Sequence, residues 1–448
     1  MKKATGFFWM MILLWGNVFG QQNAFTLQEA VAYAQKNNTE IRKSDNEVLK
    51  ARKKVWETTT MGLPQVSGNV SYQKFIDKPV NLMPARIFNP QAPPDQYVPV
   101  SFGTEQNMKW NLTVTQLVFS GSYITGLYSS RVYKKISELA SHKTRQKIAE
   151  AVTEAYVNAV LADENLRIVQ KNIQALEKNL FDTRQMYENG FVEETDVRQL
   201  EITLRELKDQ YEFLEKMKNT AYEMLNYLMG RTPDDALVLT DNIENLIEKS
   251  ININFMEKDF RPEENIDFKI AQNKVRAGKL KMRYEQTQML PTVSAFYSLG
   301  KNAYNEEFKF FDDNQQWYKQ SLVGISINIP VFSSFVRYKR IGQAKLDFEN
   351  AKLDFENTRR MLKIKYDKLM SEYLNTIDIV HTRKKNMDLS EEIMHREEVK
   401  YKEGVGNSFQ LNLARMQFYQ SQQAYLKSVA DLVTKKTELQ HFLNAENE

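Results

Sequence analysis

The chain has 448 residues, with 61 Lys and Arg against 57 Asp and Glu, and it contains no cysteine. The near-balance of charge gives no basic excess for a nucleic-acid surface, and the lack of Cys excludes disulfides, thiolate metal sites and a cysteine nucleophile. A charged fraction of 26% and a mean hydropathy of −0.55 describe a polar chain on average. The positions of the 11 Pro and 16 Gly are therefore the more informative feature.

The first twenty residues predict a secretory signal peptide. Lys2 and Lys3 precede an apolar run from Phe7 to Trp15, which is too short to span a bilayer. No later apolar stretch approaches the roughly 20 residues that a spanning helix needs. We therefore expect an exported protein that enters a membrane only as a β-barrel.

Three short motifs occur twice in the same order, at nearly constant offsets of 227, 213 and 214 residues. The pairs are Leu63-Pro64 and Leu290-Pro291, Val118-Phe119-Ser120 and Val331-Phe332-Ser333, and Tyr187-x-x-Gly190 and Tyr401-x-x-Gly404. The shared order and offset indicate an internal duplication. We predict a first repeat over 21–230, an inter-repeat segment over 231–262, a second repeat over 263–443 and a tail over 444–448.

Four segments alternate apolar and polar side chains, as membrane strands do. We predict strands at about 65–76, 108–119, 292–301 and 317–330. The apolar positions of the first strand correspond to apolar positions of the third, 227 residues later: Val66, Val70 and Tyr72 to Val293, Tyr297 and Leu299. A slip of one residue would have reversed the faces. Six prolines between 79 and 99 predict a long extracellular loop at about 77–107.

Two long stretches, 127–189 and 343–403, contain neither Gly nor Pro. A helix of about 60 residues is roughly 90 Å long, far more than a membrane is thick. We predict helices at about 27–61, 121–188, 198–229, 263–289, 334–402 and 408–443. The tandem heptads over 344–357 are typical of coiled-coil packing.

Four strands cannot close a barrel, and an open sheet edge cannot face lipid because its backbone groups would lack partners. The smallest single-chain bacterial barrels have about eight strands. Four strands per chain therefore predict an oligomer that pools its strands, with long helices that project into an aqueous compartment as a duct.

Several motifs together resemble the TolC family of outer-membrane efflux proteins. They are the opening segment 25–38, Leu63-Pro64, Leu290-Pro291, Arg261-Pro262-Glu263, the segment 187–197, and Gly230 after Leu228. The resemblance implies a mainly α fold with a membrane β-barrel: a homotrimer whose twelve pooled strands lie in the outer membrane of a Gram-negative bacterium. Its long helices would form a periplasmic α-barrel, with 231–262 in a mixed region at mid-height.

The resemblance also implies a function, that of a passive exit duct without enzymatic activity or cofactor. The tips at 187–197 and 401–411 would form the periplasmic entrance and meet an adaptor protein, and an inner-membrane transporter of RND, ABC or MFS type would load the duct. The duct would serve a tripartite efflux pump for drugs, other small molecules or metals, or a type I secretion system. A structural coiled-coil protein of the periplasm or cell surface remains the alternative, and the cargo is not readable from one chain.

The candidate functional residues lie at the two tips: Tyr187, Gly190, Thr195, Asp196, Tyr401, Gly404 and Gln410. Asp196 matches the family's tip Asp that helps to hold the entrance closed, and it is equally interpreted as a cap or first-turn acid. Thr195 is a second candidate cap, and the glycines are expected to permit a positive φ. The second tip departs from the family, because Gly406 and Gln410 occupy positions where relatives carry Arg and Asp.

No metal site is expected. The four histidines, His142, His381, His395 and His441, show no ligand spacing such as His-x-x-x-His, which zinc sites on helices use. No phosphate-binding Gly loop and no nucleophile elbow occurs, so an exported hydrolase has no supporting constellation.

Overall fold

The computed structural model describes residues 23–251 and 260–443. The predicted signal peptide and the tail 444–448 lie outside these residues. The chain divides into two compact units, each made from separated segments. The helical unit comprises Met1–Ser44, Ser141–Asn265 and Met361–Glu448, and the sheet unit comprises Asp45–Ala140 and Ile266–Arg360.

Helices dominate the chain. Their bounds are α1 Leu27–Asn37, α2 Thr39–Thr60, α3 Gly121–Glu188, α4 Glu194–Met229, α5 Ile243–Ser250, α6 Ile266–Thr287, α7 Val336–Lys402 and α8 Ser408–Phe442. The longest, α3 and α7, have 68 and 67 residues. Among the described residues, no helix is both long and apolar enough to cross a bilayer.

The first predicted helix, at 27–61, is two helices. Asn38 leaves the helical conformation with ψ at 133°, and its side-chain oxygen accepts hydrogen bonds from the backbone N–H groups of Glu40 (2.8 Å) and Ile41 (3.3 Å). Its side-chain amide donates to the carbonyl of Leu228 at 2.7 Å. The sequence prediction of one helix was wrong here because the break depends on this distant partner.

Eight strands are present in the described residues. Their bounds are β1 Ala24–Phe25, β2 Gln65–Lys74, β3 Val80–Pro84, β4 Tyr97–Ser101, β5 Gln106–Phe119, β6 Val238–Leu239, β7 Thr292–Asn305 and β8 Tyr318–Asn328. An antiparallel four-stranded sheet has the order β2-β5-β7-β8. Two smaller sheets pair β1 with β6 and β3 with β4.

Directly opposite residues in an antiparallel sheet share a face, and the pairing collects the apolar positions on one face. Val66 lies opposite Val114, Val114 opposite Tyr297, and Tyr297 opposite Val323. Three of these side chains are exposed: Val66 at 63%, Tyr297 at 47% and Val323 at 76%. The adjacent row is polar, and there the hydroxyls of Thr113 and Ser298 lie 2.9 Å apart. One chain alone therefore leaves an apolar sheet face open.

The segment predicted as a long loop, 77–107, contains the antiparallel ribbon β3–β4. Leu82 lies opposite Pro99, and Pro84 ends β3. Proline lacks a backbone N–H and is confined to strand edges and ends. Each strand of a two-stranded ribbon has one free edge, so the ribbon accommodates the prolines from which an extended loop was predicted.

The heptads over 344–357 lie on α7, where they pack against α6 within the sheet unit. Phe355 meets the ring of Phe268 edge-on at 5.0 Å between centroids, and Lys281 pairs with Asp347 at 2.7 Å. A Cβ added at Gly278 would lie 3.4 Å from the Cα of Phe348. Helices α6 and α7 are therefore in direct contact at Gly278, with room for one methyl group.

The core of the helical unit contains a hydrogen-bond network around Asp241. Its carboxylate accepts from the backbone N–H of Leu27 at 2.7 Å, from the Tyr156 hydroxyl at 3.1 Å and from Lys249 Nζ at 2.9 Å. The Tyr156 hydroxyl also lies 2.9 Å from the carbonyl of Phe25. Tyr156 is fully buried, so the network joins α3 to both β1 and the segment that follows β6.

This network predicts a loss of stability in acid. Burial by itself raises the pKa of the Asp241 carboxyl, but hydrogen bonds from Leu27 and Lys249 more than offset burial, and the pKa lies below its usual value. A depressed folded pKa contributes stability that is present above the unfolded pKa of about 4 and is lost as pH falls through the folded value. We expect the urea concentration at the unfolding midpoint to decrease as the pH falls below about 5. Asp241→Asn should make this decrease smaller. Glu263→Gln, a change at an exposed position, is the control and should leave the decrease unchanged. An equal decline in Asp241→Asn would contradict the assignment.

Candidate functional site

The first tip is the turn between α3 and α4, and its conformation follows from Gly190. Gly190 has φ at 79°, which glycine adopts without steric cost. Its N–H donates to the carbonyl of Tyr187 at 2.9 Å, and the N–H of Phe191 donates to the carbonyl of Met186 at 2.9 Å. These two bonds form a Schellman motif that satisfies the last carbonyls of α3.

The second tip, between α7 and α8, repeats the motif. Gly404 has φ at 74°, its N–H donates to the carbonyl of Tyr401 at 3.1 Å, and Val405 N–H donates to Lys400 at 3.0 Å. Gly406 N–H bonds the same Lys400 carbonyl at 3.0 Å, and a Cβ added at Gly406 would lie 3.1 Å from the backbone nitrogen of Tyr401. The backbone therefore approaches closely at Gly406.

Asp196 lies in the first turn of α4, at the third helical position. Glu193 is the N-cap, and the Asp196 carboxylate accepts from the Glu193 N–H at 3.3 Å. The Thr195 hydroxyl donates to the Glu193 carboxylate at 3.1 Å. Thr195 is therefore not the cap, and the interpretation of Asp196 as a first-turn acid fits the geometry, since a carboxylate is favoured at a helix N-terminus.

Two side-chain hydrogen bonds join the tips. The Ser408 hydroxyl, at the start of α8, donates to Asp196 Oδ1. The hydroxyls of Thr183 and Tyr401 lie 2.6 Å apart, and both side chains are buried. Asp196 and Tyr401 were predicted as site residues, but their partners were not. The sequence signal at Ser408, a polar residue before an apolar run, predicts a helix start and carries no information about a distant carboxylate.

The remaining predicted residues take other positions. Tyr187 is 41% exposed. Gln410 is exposed, and its backbone N–H donates to the side chain of Asn407, the N-cap of α8, at 2.8 Å. Three apolar side chains, which sequence reasoning did not single out, are largely exposed at the tips: Phe191 at 81%, Val405 at 78% and Phe409 at 68%. The tips thus present apolar groups around a polar latch of four side chains, Thr183, Asp196, Tyr401 and Ser408.

A partly buried cation, Arg415, lies on α8 near the second tip. Burial lowers the pKa of the Arg415 guanidinium on α8, and one nitrogen of this group lies 3.8 Å from the Glu398 carboxylate on α7. A charged group with little access to water depends on such a partner. Sequence reasoning missed Arg415, because a single Arg in a highly charged helix is usually a solvated residue.

The second candidate surface is the pair of free edges of the four-stranded sheet. Within the described chain, β2 pairs only with β5, and β8 pairs only with β7. Each edge therefore presents a row of backbone N–H and C=O groups without strand partners, which is a template for pairing with another strand.

Among the described residues, no group of three or more His, Asp or Glu side chains is placed to hold a metal ion. The two candidate surfaces are therefore the sheet with its two open edges and the pair of helix-hairpin tips.

The comparisons with known proteins agree with this architecture. The family model described as outer membrane efflux protein matches residues 262–445. The chain is similar to the outer membrane protein VceC of Vibrio cholerae (TM-score 0.72, 15% identity, covering 94% of this chain and 97% of that one). It is also similar to the CmeC outer membrane channel of Campylobacter jejuni (TM-score 0.73, 16% identity, 94% and 87%) and to the MtrE outer membrane channel of Neisseria gonorrhoeae (TM-score 0.68, 15% identity, 93% and 88%). A comparison with curated protein sequences gives no match.

The fold is that of outer-membrane efflux channels. The second repeat matches the model of the outer membrane efflux protein family, and the chain as a whole shares the fold of outer-membrane channels. The predicted resemblance is confirmed, and so is the predicted fold class of long helices with four strands per chain. The similar solved structures are outer-membrane channels.

Proposed function

We propose that the protein is the passive, trimeric exit duct of a tripartite efflux pump. The observation that carries the proposal is the four-stranded sheet, which has two open edges and an exposed apolar face. In lipid the open edges require further strands to pair their backbone groups, and the apolar face is suited to contact with lipid. Three copies supply twelve strands, which close a barrel with its apolar face toward lipid.

Exposed apolar residues on the helices of the sheet unit support the association of copies. On α2, Leu49 and Trp56 are 50% and 65% exposed. On α7, Leu346 and Leu353 are 66% and 68% exposed. Each pair is spaced by seven residues, the repeat that keeps a stripe facing a neighbouring helix. In this proposal the stripes meet between copies.

The tips form the periplasmic entrance in this proposal. The exposed Phe191, Val405 and Phe409 offer the apolar groups that a periplasmic adaptor protein would cover, since apolar side chains clustered at an exposed end mark interaction sites. An inner-membrane transporter of RND, ABC or MFS type supplies the energy. The cargo, whether drugs, other small molecules or metals, is left open, and type I secretion is the less favoured assignment.

Single cysteines test the membrane part of the proposal, because the natural chain has none. We expect cysteines at Leu112, Val114, Ile325 and Ile327 to react with a lipid-phase maleimide in isolated outer membranes. Cysteines at Thr113 and Ser326 are the matched controls on the opposite face, and they should react only with a water-soluble reagent. Equal reaction of both faces with the water-soluble reagent would favour a soluble sheet in a structural coiled-coil protein.

The Asp196→Ala variant is expected to make the closed entrance leak. It removes the bond to Ser408, and one hydrogen bond of about 1 kcal/mol changes an open-to-closed ratio roughly fivefold in each chain. The measurement is single-channel conductance in planar bilayers. Ser408→Ala should have the same effect, and the double variant should add little to it, because both substitutions remove one interaction.

Thr195→Ala is the control for this experiment, since its bond stays within the first tip. Unchanged conductance in Asp196→Ala, or effects of Asp196→Ala and Ser408→Ala that simply add, would reduce Asp196 to a helix-capping residue.

A further inference from the structure

The register of the four-stranded sheet repeats with the duplication. In the first repeat Val66 lies opposite Val114, and in the second Val293 lies opposite Ile327. Val293 follows Val66 by 227 residues, and Ile327 follows Val114 by 213. The same two offsets convert every β2–β5 pair into a β7–β8 pair. The two hairpins are therefore paired identically, residue by residue.

The two repeats meet inside the chain where β5 pairs with β7. Thr113 lies opposite Ser298 at this seam. By the repeat offsets, β8 is the counterpart of β5, and β2 is the counterpart of β7. Both counterparts are the free edge strands, so the same seam cannot form a second time without another copy of the chain.

We propose that β8 pairs antiparallel with β2 of a second copy in the register of the internal β5–β7 seam, with Ser326 opposite Ser71 of the second copy. This inference rests on the proposed function and specifies its subunit contact at single-residue resolution. It also predicts a hydrogen bond between the two serine hydroxyls, because the equivalent hydroxyls of Thr113 and Ser298 lie 2.9 Å apart.

The residues at the counterpart positions keep the chemistry of the internal seam. Leu112–Leu299, Thr113–Ser298, Val114–Tyr297 and Trp110–Lys301 become Ile325–Tyr72, Ser326–Ser71, Ile327–Val70 and Val323–Lys74. Apolar pairs remain apolar, the hydroxyl pair remains a hydroxyl pair, and a lysine recurs opposite an apolar residue.

Other registers lose this agreement. A shift of two residues keeps the faces but places Asn69 or Gln73 opposite Ser326, and in the second case Lys74 opposite Ile325. In a single chain these apolar side chains of the two edge strands remain largely exposed, so a partner strand can pack beside them. Val70 and Ile325 are each 71% exposed, and Ile327 is 59% exposed.

Disulfide cross-linking determines which residues of the two edge strands lie opposite each other. The natural chain has no cysteine, so every disulfide formed involves only the introduced residues. Directly opposite residues have Cα atoms about 4.5–5.5 Å apart, within the reach of a disulfide, whereas residues displaced by two are about 7–8 Å apart, beyond it. Chains carrying Ser326→Cys and Ser71→Cys are oxidised in isolated outer membranes and run on a non-reducing gel.

We expect covalent trimers from the double variant, and a covalent dimer when Ser326→Cys and Ser71→Cys chains are co-expressed as single variants. The matched off-register pairs, Ser326→Cys with Asn69→Cys or with Gln73→Cys, should cross-link at least tenfold less. Thr113→Cys with Ser298→Cys is the internal positive control, which loses its free thiols without a change in size.

Each other outcome overturns a defined part of the proposal. Preferential cross-linking through position 69 or 73 overturns the register and leaves the pooled barrel intact. A bond between Ser326→Cys and Ser71→Cys within one chain, or no intermolecular bond at any position while the internal control oxidises, overturns the register and the proposed trimeric duct together.

Discussion

Gly230→Ala is expected to destabilise the helical unit by about 3 kcal/mol, the sum of left-handed backbone strain and overpacking. Gly230 ends α4 with φ at 81°. A Cβ at this position would lie 2.5 Å from the carbonyl oxygen of Asn37. Backbone atoms cannot rotate away as a flexible side chain would, so the turn between α1 and α2 must shift.

Gly190→Ala is the matched control for this substitution. Its φ of 79° is nearly the same, but a Cβ there has no neighbour within 4 Å. We expect a loss of about 1 kcal/mol from backbone strain alone. Urea unfolding in detergent, followed by far-ultraviolet circular dichroism, measures both. Equal losses would show that the contact with Asn37 does not limit the packing of α1 against α4.

Asp241→Ala is expected to cost about 3 kcal/mol, because it removes the acceptor of three hydrogen bonds that each contribute about 1 kcal/mol. The Asp241 side chain is 3% exposed, and it serves the Leu27 N–H, the Tyr156 hydroxyl and Lys249. Without the carboxylate, the Tyr156 hydroxyl keeps the carbonyl of Phe25 and the backbone N–H of residue 241 as partners, whereas the Leu27 N–H loses its acceptor.

Asp163→Ala is the control for the Asp241 network. Asp163 also accepts from a tyrosine and a lysine, Tyr222 and Lys218. Its side chain is 36% exposed, so water replaces the lost partners and the expected cost is below about 1 kcal/mol. The same urea titration compares the two variants. A larger loss in Asp163→Ala than in Asp241→Ala would contradict the central position of Asp241 in the helical unit.

Features that depend on local sequence were accessible before the structure. The lack of Gly and Pro indicates the long helices, because those residues are the ones that interrupt a helix. The period-two alternation fixes the faces of the strands, since a slip of one residue exposes the wrong side chains. The repeated Tyr-x-x-Gly motif indicates two equivalent turns, and both tips adopt the same hydrogen-bonded conformation.

Features that depend on distant partners were not accessible. The break at Asn38 is stabilised by a hydrogen bond to the carbonyl of Leu228, and the sequence around residue 38 does not predict that contact. The latch partners Thr183 and Ser408 lie 218 and 212 residues from Tyr401 and Asp196. Glu193 was overlooked as the cap of α4 because Ser, Thr, Asp and Asn are the residues preferred there.

The mass of the protein in detergent, measured by native mass spectrometry after extraction from the isolated outer-membrane fraction, tests the central claim most directly. The sheet has two free edges and an uncovered apolar face, so the account predicts the mass of three mature chains and no stable smaller species. A single chain of this protein, recovered from the soluble periplasmic fraction, would contradict it.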